Sequence, residues 1–278
     1  MNCVDLTVVI PVKNEEMMLP ICLKAIGKDF AKNIVVVDSE SNDSTCQIAR
    51  EWSAEVIQFS WDGKYPKKRN WYLLNHTPIT KWVLFLDADE VLTTEFKNEL
   101  QQCLSDDKFD GYWLKYTNYF QDKKMRGGYP LHKLALFKVG RGFYEEIDEL
   151  NWSKLDMEIH EHPIIQGEIG TINARIDHRD LRGIDHYVSK HAEYALWEAR
   201  RLQKAKADST AVQQWTMKQK LKYRLLQTPF AGLFFFIGSF FFLGGFIDGR
   251  RGLRFALLKA SYFNLISQRL KELNNHSN

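Results

Sequence analysis

The chain has 278 residues, 38 of them basic and 35 acidic, giving a formal net charge of +3. That balance excludes a protein drawn to nucleic acid by overall charge, and a content of 45 % hydrophobic and 26 % charged residues excludes a disordered chain. The four cysteines, Cys3, Cys22, Cys46 and Cys103, form no CxxC pair, which speaks against a zinc ribbon or a disulfide framework and fits a reducing compartment.

The opening stretch, MNCVDLTVVI, contains an acid and lacks a basic start leading into a long apolar run, so it does not read as a signal peptide and leaves the N-terminus in the cytosol. Residues 6–12 are apolar up to Pro11 and the polar residues beyond, and residues 33–38 form a second apolar run. A helical stretch carrying Met17, Leu19, Cys22, Leu23 and Ile26 lies between them. Short apolar runs that do not alternate, set between helices, predict parallel strands covered on both faces. A helix over 44–52 then leads to a strand over 55–59, and a helix over 67–75 to a strand over 82–86. This order predicts an α/β fold with an open, mostly parallel central sheet that binds ligands at the carboxyl ends of its strands. Beyond Thr93 the pattern gives a helix to about residue 104 and strands over 111–119 and 134–139, so the second part of the sheet is expected to be mixed. From residue 183 the sequence turns helical, dividing the chain into a sheet-bearing domain, 1–182, and a helical region, 183–278.

Polar clusters stand at the predicted strand ends. In FLDADE, Asp87 and Asp89 flank Ala88 just past an apolar strand. A hard divalent cation takes oxygen ligands and completes its shell with water and phosphate oxygens, so these carboxylates suit Mg²⁺ or Mn²⁺ held against a diphosphate; a solvated acidic turn is the plainer reading. In VVVDSESNDST, Asp38 ends a strand where a buried carboxylate can accept hydrogen bonds from a nucleobase, while Asp43 or Ser44 as a helix cap accounts for residues 41–45 without any ligand. In VVIPVKNEE, Pro11 ends a strand, and Asn14 and Glu15 are expected to open the next helix, where the macrodipole favours acids.

In combination and in this order, these strings resemble the family 2 glycosyltransferases, over about residues 4–180. The resemblance implies a nucleotide-diphospho-sugar transferase fold of the GT-A type. It implies that Pro11, Asn14, Glu15 and Asp38 line the base and ribose of a nucleotide-sugar donor, and that Asp87, Ala88 and Asp89 face its diphosphate and the metal. In KKRNWYL it places Lys68, Arg69 and Asn70 near the donor, an exposed basic helix start being the alternative. Farther on, GGYPLHKLALFKVGRGFYEE followed by EIHEHP resembles a bacterial subgroup that adds sugars to lipopolysaccharide core or similar lipid-linked acceptors. Tyr129 with Pro130, Leu136 with Phe137, His160 with Glu161, and His178 carry that likeness.

An inverting transfer needs a base for the acceptor hydroxyl, and Glu161 is the candidate, with Glu158 and Asp156 as competitors in the same segment. A structural ion pair is the plain alternative for a glutamate between two histidines. His178 is a candidate metal ligand or acceptor contact, or simply a structural histidine. The HEH string of His160 and His162 lacks the helical spacing of a zinc-protease motif, which favours carboxylate-held Mg²⁺ or Mn²⁺ over zinc.

Residues 229–247, PFAGLFFFIGSFFFLGGFI, are nineteen in a row without a charge. Roughly 20 apolar residues suffice for a membrane span. Yet Lys218, Lys220, Lys222 and Arg224 precede the stretch and Arg250, Arg251 and Arg254 follow it, so a single span would strand one basic cluster on the wrong side. Gly232, Gly238, Gly244 and Gly245 favour breaks, so the expectation is a re-entrant or interfacial hairpin over about 228–265 meeting lipid at the cytoplasmic face of the inner membrane. A helical hairpin buried against protein is the alternative.

The resemblance implies an inverting hexosyltransferase, with a UDP-linked donor and glucose as the first choice of sugar. Its acceptor would be lipopolysaccharide core or another glycolipid, and nucleic acid is not an expected partner. An exopolysaccharide or O-antigen repeat-unit transferase is the neighbouring reading. A nucleotidyltransferase would need a glycine-rich phosphate loop after the first strand, which VVIPVKNEE lacks, and a membrane scaffold with a degenerate donor site is the non-enzymatic alternative.

Overall fold

The computed structural model describes residues 3–147, 149, 153, 155–158, 163–207 and 217–276. The chain divides into two compact units, one of residues 1–122 with 131–181, the other of 123–130 with 182–278. The segment 123–130, which the sequence reading left in the first domain, thus belongs to the second unit.

In the first unit, β1 (Val4–Val12), β2 (Ala31–Asp38), β3 (Glu55–Gln58) and β4 (Trp82–Phe85) lie in the order β3-β2-β1-β4, all parallel. All of β1 except Asp5 is buried, the consequence of a central strand covered on both faces. Helix α1 (Leu19–Ile26) covers the sheet with Leu19, Cys22, Leu23 and Ile26, a spacing that makes one apolar stripe, and ends at Gly27 with φ 81°. Helix α2 (Thr45–Glu51) follows β2 and α3 (Lys68–Asn75) follows β3.

After β4 come a short strand β5 (Glu90–Val91) and helix α4 (Thr94–Asp106), whose first turn is capped by the Thr93 hydroxyl accepting from the Phe96 N–H at 3.1 Å. The sheet then continues through β6 (Gly111–Phe120), β7 (His132–Lys138) and, after the small β8 (Gly142–Tyr144) and β9 (Pro163–Ile165) pair, β10 (Ile169–His178). β4 pairs antiparallel with β7, β7 antiparallel with β6, β6 parallel with β10, and β10 antiparallel with β5. The parallel half and the mixed half agree with the sequence reading, which did not anticipate β5 or β10.

The second unit is helical: α5 (Gly183–Ala207), α6 (Met217–Leu226), α7 (Ala231–Ile237) and α8 (Gly249–His276). Its core joins Ala195, Ala199, Leu202, Leu226, Phe263 and Ile266. α7 packs so closely on α8 that a Cβ at Gly232 would sit 2.6 Å from the Ala260 carbonyl oxygen, which restricts that position to glycine. The Asp248 carboxylate ties in the 123–130 segment by accepting the N–H groups of Arg126 and Gly127, each at 2.9 Å. Among the described residues no single helix is long and apolar enough to cross a membrane. Residues Ala231–Phe242 and Gly245–Asn275 meet the length and composition requirement only as a pair bent by 73°, and Gly244, at φ 75°, sits at the bend. Beside it Phe241, Phe246 and Ile247 are exposed and Phe242 is 84 % exposed; Phe230, at the start of α7, is exposed too.

Candidate functional site

Because β2, β1 and β4 are parallel neighbours, their carboxyl ends share one edge of the sheet. Val12 is opposite Asp38, and Val9 is opposite Phe85, which leads into Asp87. Asp38 and Asp87 are therefore about two inter-strand spacings apart, roughly 10 Å, with the end of β1 between them.

The loops leaving β1 and β2 are bonded to each other. The Asp38 carboxylate, 1 % exposed, accepts the Ser41 N–H at 3.1 Å and the Ser41 hydroxyl at 2.5 Å. That hydroxyl accepts the Asn14 N–H at 2.8 Å, and the Asn14 side chain accepts the Asn42 N–H at 2.9 Å. Asn14 takes a left-handed conformation, φ 55°, which asparagine tolerates better than most residues. Asn14 and Glu15 do not open a helix as the sequence reading had it. α1 starts at Leu19, and the Glu15 carbonyl accepts the Met18 and Leu19 N–H groups from the turn before it. Nor does the Ser44 side chain cap α2; Asp43 does the local work, accepting the Thr45 N–H at 3.0 Å.

Helix α3 brings the basic string to the same edge. Lys68, 2 % exposed, donates from Nζ to the Val12 carbonyl at 3.0 Å and pairs with Asp156 at 3.3 Å. Burial lowers the Lys68 ammonium pKa, against the pull of Asp156. Arg69 pairs with Asp87 Oδ1 at 2.7 Å and also donates to the Glu158 carbonyl. Glu158 caps the helix: its carboxylate accepts the N–H groups of Arg69 at 3.0 Å and Asn70 at 3.1 Å. Asn70, fully buried, exchanges two hydrogen bonds with the Tyr144 backbone, each 2.9 Å. Both ends of its amide are thereby engaged by the protein, which ties the start of α3 to the Tyr144 backbone. The exposed basic helix start is excluded, since Lys68, Arg69 and Asn70 are all buried.

Two competitors for the catalytic base are occupied in the same way. Glu158 is the cap just described, its carboxyl pushed up by burial. Burial also favours the neutral form of Asp156, but Lys68 and the Ser39 hydroxyl outweigh it and hold the carboxyl below its usual value, where it is a weak base. The stabilisation from this pairing is complete above the ordinary aspartate pKa and is lost as pH falls through the lowered one. Asp156→Asn is expected to remove that part of the acid sensitivity, so urea unfolding of wild type and variant should differ more at about pH 7 than at about pH 3. Glu161, His160 and His162 lie outside the described residues.

The DAD string divides its duties. Asp87 is held by Arg69 on one oxygen and by Lys133 at 2.5 Å on the other. The Lys133 ammonium also lies 2.5 Å from Glu90, which is 1 % exposed and accepts the Asp87 N–H at 3.1 Å. Burial raises the Glu90 carboxyl to about 7 against the pull of Lys133. Burial would lower Lys133, but Asp87 and Glu90 more than offset it and keep it protonated. Ala88 is buried, and Asp89, 5 % exposed, has Oδ1 3.6 Å from Nε2 of His178. The juxtaposition is topological: β10 places His178 opposite Glu90 on β5, 89 residues from Asp89 in sequence.

Among the described residues no three metal-ligating side chains converge. Asp89 and His178 together offer one carboxylate and one imidazole; the carboxylate suits Mg²⁺ or Mn²⁺ completed by water and phosphate oxygens, and the imidazole favours Mn²⁺ over Mg²⁺, which prefers oxygen donors. Asp87, with both oxygens on cations, fits the role of orienting Arg69 and Lys133 better than that of a ligand. Sequence reasoning missed Lys133, Glu90 and Tyr144. The lysine inside the otherwise apolar strand HKLALFK is the signal that could have pointed to the first.

Residues 7–161 match the glycosyl transferase family 2 profile. An uncharacterized glycosyltransferase of Rickettsia typhi is 27 % identical over 197 residues, 69 % of this chain, and the match spans 66 % of that relative's length. Among solved structures, Staphylococcus aureus TarS 1-349 aligns over 100 % of this chain and 92 % of its own, at 14 % identity and a TM-score of 0.45. Glucosyl-3-phosphoglycerate synthase from Mycobacterium tuberculosis, solved with Mn²⁺, UDP and glucosyl-3-phosphoglycerate, aligns over 41 % of this chain and 43 % of its own, with 19 % identity and a TM-score of 0.32. With more than half of its length matched by the family profile, the chain belongs to glycosyl transferase family 2, a family of transferase enzymes.

Proposed function

We propose that the protein transfers a hexose, with inversion, from a UDP-sugar to a glycolipid of the bacterial envelope, lipopolysaccharide core being the favoured acceptor and glucose the favoured sugar. The observation that carries the donor assignment is the meeting of Asp38, Lys68, Arg69 and the Asp89–His178 pair along one sheet edge. In this reading Asp38, framed by Pro11, Asn14 and Glu15, recognises the uracil and ribose, and Lys68 and Arg69 supply positive charge along the diphosphate. Asp89 and His178 would hold Mg²⁺ or Mn²⁺, which would supply positive charge against the departing nucleotide diphosphate. Lys133 fixes Asp87 so that Arg69 faces the donor in one orientation. Glu161 takes the proton of the acceptor hydroxyl as it attacks the anomeric carbon.

A donor-hydrolysis screen across nucleotide sugars, with each divalent metal and the full chain, tests this reading. UDP-glucose with Mn²⁺ or Mg²⁺ is expected to give the highest UDP release, and turnover of no nucleotide sugar would refute it.

The exposed phenylalanines around the Gly244 bend, with Arg250, Arg251 and Arg254 beside them in sequence, support attachment to the cytoplasmic face of the inner membrane through an interfacial or re-entrant hairpin. Flotation with vesicles containing anionic lipid, compared with neutral ones, checks this. Absence from both lipid fractions would contradict it.

A further inference from the structure

The first unit holds a cavity of about 410 Å³ that the donor reading does not use, walled by Trp61 and Tyr65 from the loop after β3 and by Glu145 and Glu146 from the segment after β8. Its size falls in the range of roughly 300–1,000 Å³ typical of small-ligand sites. We propose that this cavity binds an uncharged or amine-bearing sugar ring of the acceptor and discriminates against phosphorylated and carboxylated ones. The proposal rests on the transferase reading and assigns the acceptor side of the same site.

Three features carry it. First, each aromatic residue of the wall has a hydrogen bond to the protein. The Trp61 indole N–H donates to the Lys64 carbonyl at 2.7 Å, and the Tyr65 hydroxyl accepts from the Asn70 amide at 3.3 Å. An indole and a phenol on one wall offer the flat apolar surface and polar rim on which a sugar ring can stack while its hydroxyls find partners. Secondly, the charge lining the cavity is negative on balance: Lys67 is paired with Glu149 at 2.5 Å and Glu158 is taken up in capping α3, which leaves Glu145 and Glu146 against Lys64. Ionised carboxylates accept hydrogen bonds from hydroxyl or ammonium groups and repel a phosphate. Thirdly, the cavity adjoins the donor strip. Glu158 lines it and caps α3, and the same helix start sends Arg69 to Asp87. A sugar held there lies next to the edge where the donor is expected.

Saturation-transfer NMR on the full chain tests the proposal, using methyl hexosides, glucosamine and glucose 6-phosphate as probes. Methyl hexosides and glucosamine should receive saturation at their ring protons and glucose 6-phosphate should not. Trp61→Ala should lose at least about nine-tenths of the signal, while Trp61→Phe, which restores an aromatic face, should recover most of it. Unchanged melting temperatures of both variants would separate loss of the wall from loss of the fold. Equal signal in Trp61→Ala, or saturation of the phosphorylated sugar equal to that of the neutral ones, would overturn the assignment. UDP titration of wild type separates the two levels. Sugar binding that depends on Trp61 without UDP binding would refute the transferase reading alone, and UDP binding without sugar binding would refute the cavity assignment alone.

Discussion

Replacing Asp89 with alanine is expected to lower metal-dependent sugar transfer by about 10³-fold, equivalent to about 4 kcal/mol of transition-state stabilisation. The size follows from the donor set. In the proposed site Asp89 would supply the carboxylate and His178, 3.6 Å away, the imidazole, while the neighbouring Asp87 is held by Arg69 and Lys133. His178→Ala should cause a smaller loss, together with a higher Mn²⁺ concentration for half-maximal rate, because the carboxylate remains. Initial rates across a Mn²⁺ titration check both, and a fully active Asp89→Ala at saturating metal would contradict the assignment.

Lys133→Met is expected to lower stability by about 3 kcal/mol, because it leaves the buried Glu90 carboxylate without its cation and frees one oxygen of Asp87. Urea unfolding reads this directly. Glu90→Gln in the same background removes the stranded charge, so the double variant should lose less than the sum of the single losses; strict additivity would show that the ammonium and the carboxylate are not coupled. Transfer should fall in Lys133→Met even where the protein stays folded, since Arg69 then shares Asp87 with solvent.

The parallel half of the sheet was legible because its strands are buried on both faces and so show unbroken apolar runs, as in residues 6–12 and 33–38. Where such strands end, the polar residues that follow stand at the carboxyl edge of the sheet, which made Asp38, Asp87 and Asp89 visible as a set. β10 was harder. Residues 169–178 alternate irregularly, and their pairing with a two-residue strand is a tertiary event that local periodicity does not encode. His178 could be singled out as a residue, therefore, but its approach to Asp89 could not be derived. Lys68, Arg69 and Asn70 show the converse. Their basic and polar character read equally well as a solvated helix start, and only the surrounding Asp156, Glu158 and Tyr144 groups decide that they are buried. The turn before α1 misled for a local reason: acids at residues 15–16 look like a helix start, whereas Pro20 sets the first turn of α1.

Calorimetric titration of the wild-type chain with UDP, in the presence and absence of Mn²⁺, tests the donor edge most directly. Saturable binding that tightens with Mn²⁺ is expected in the wild type, with no such tightening in Asp89→Ala. Wild-type protein that gives no heat with UDP and Mn²⁺, or binds UDP equally well without the metal, would contradict it.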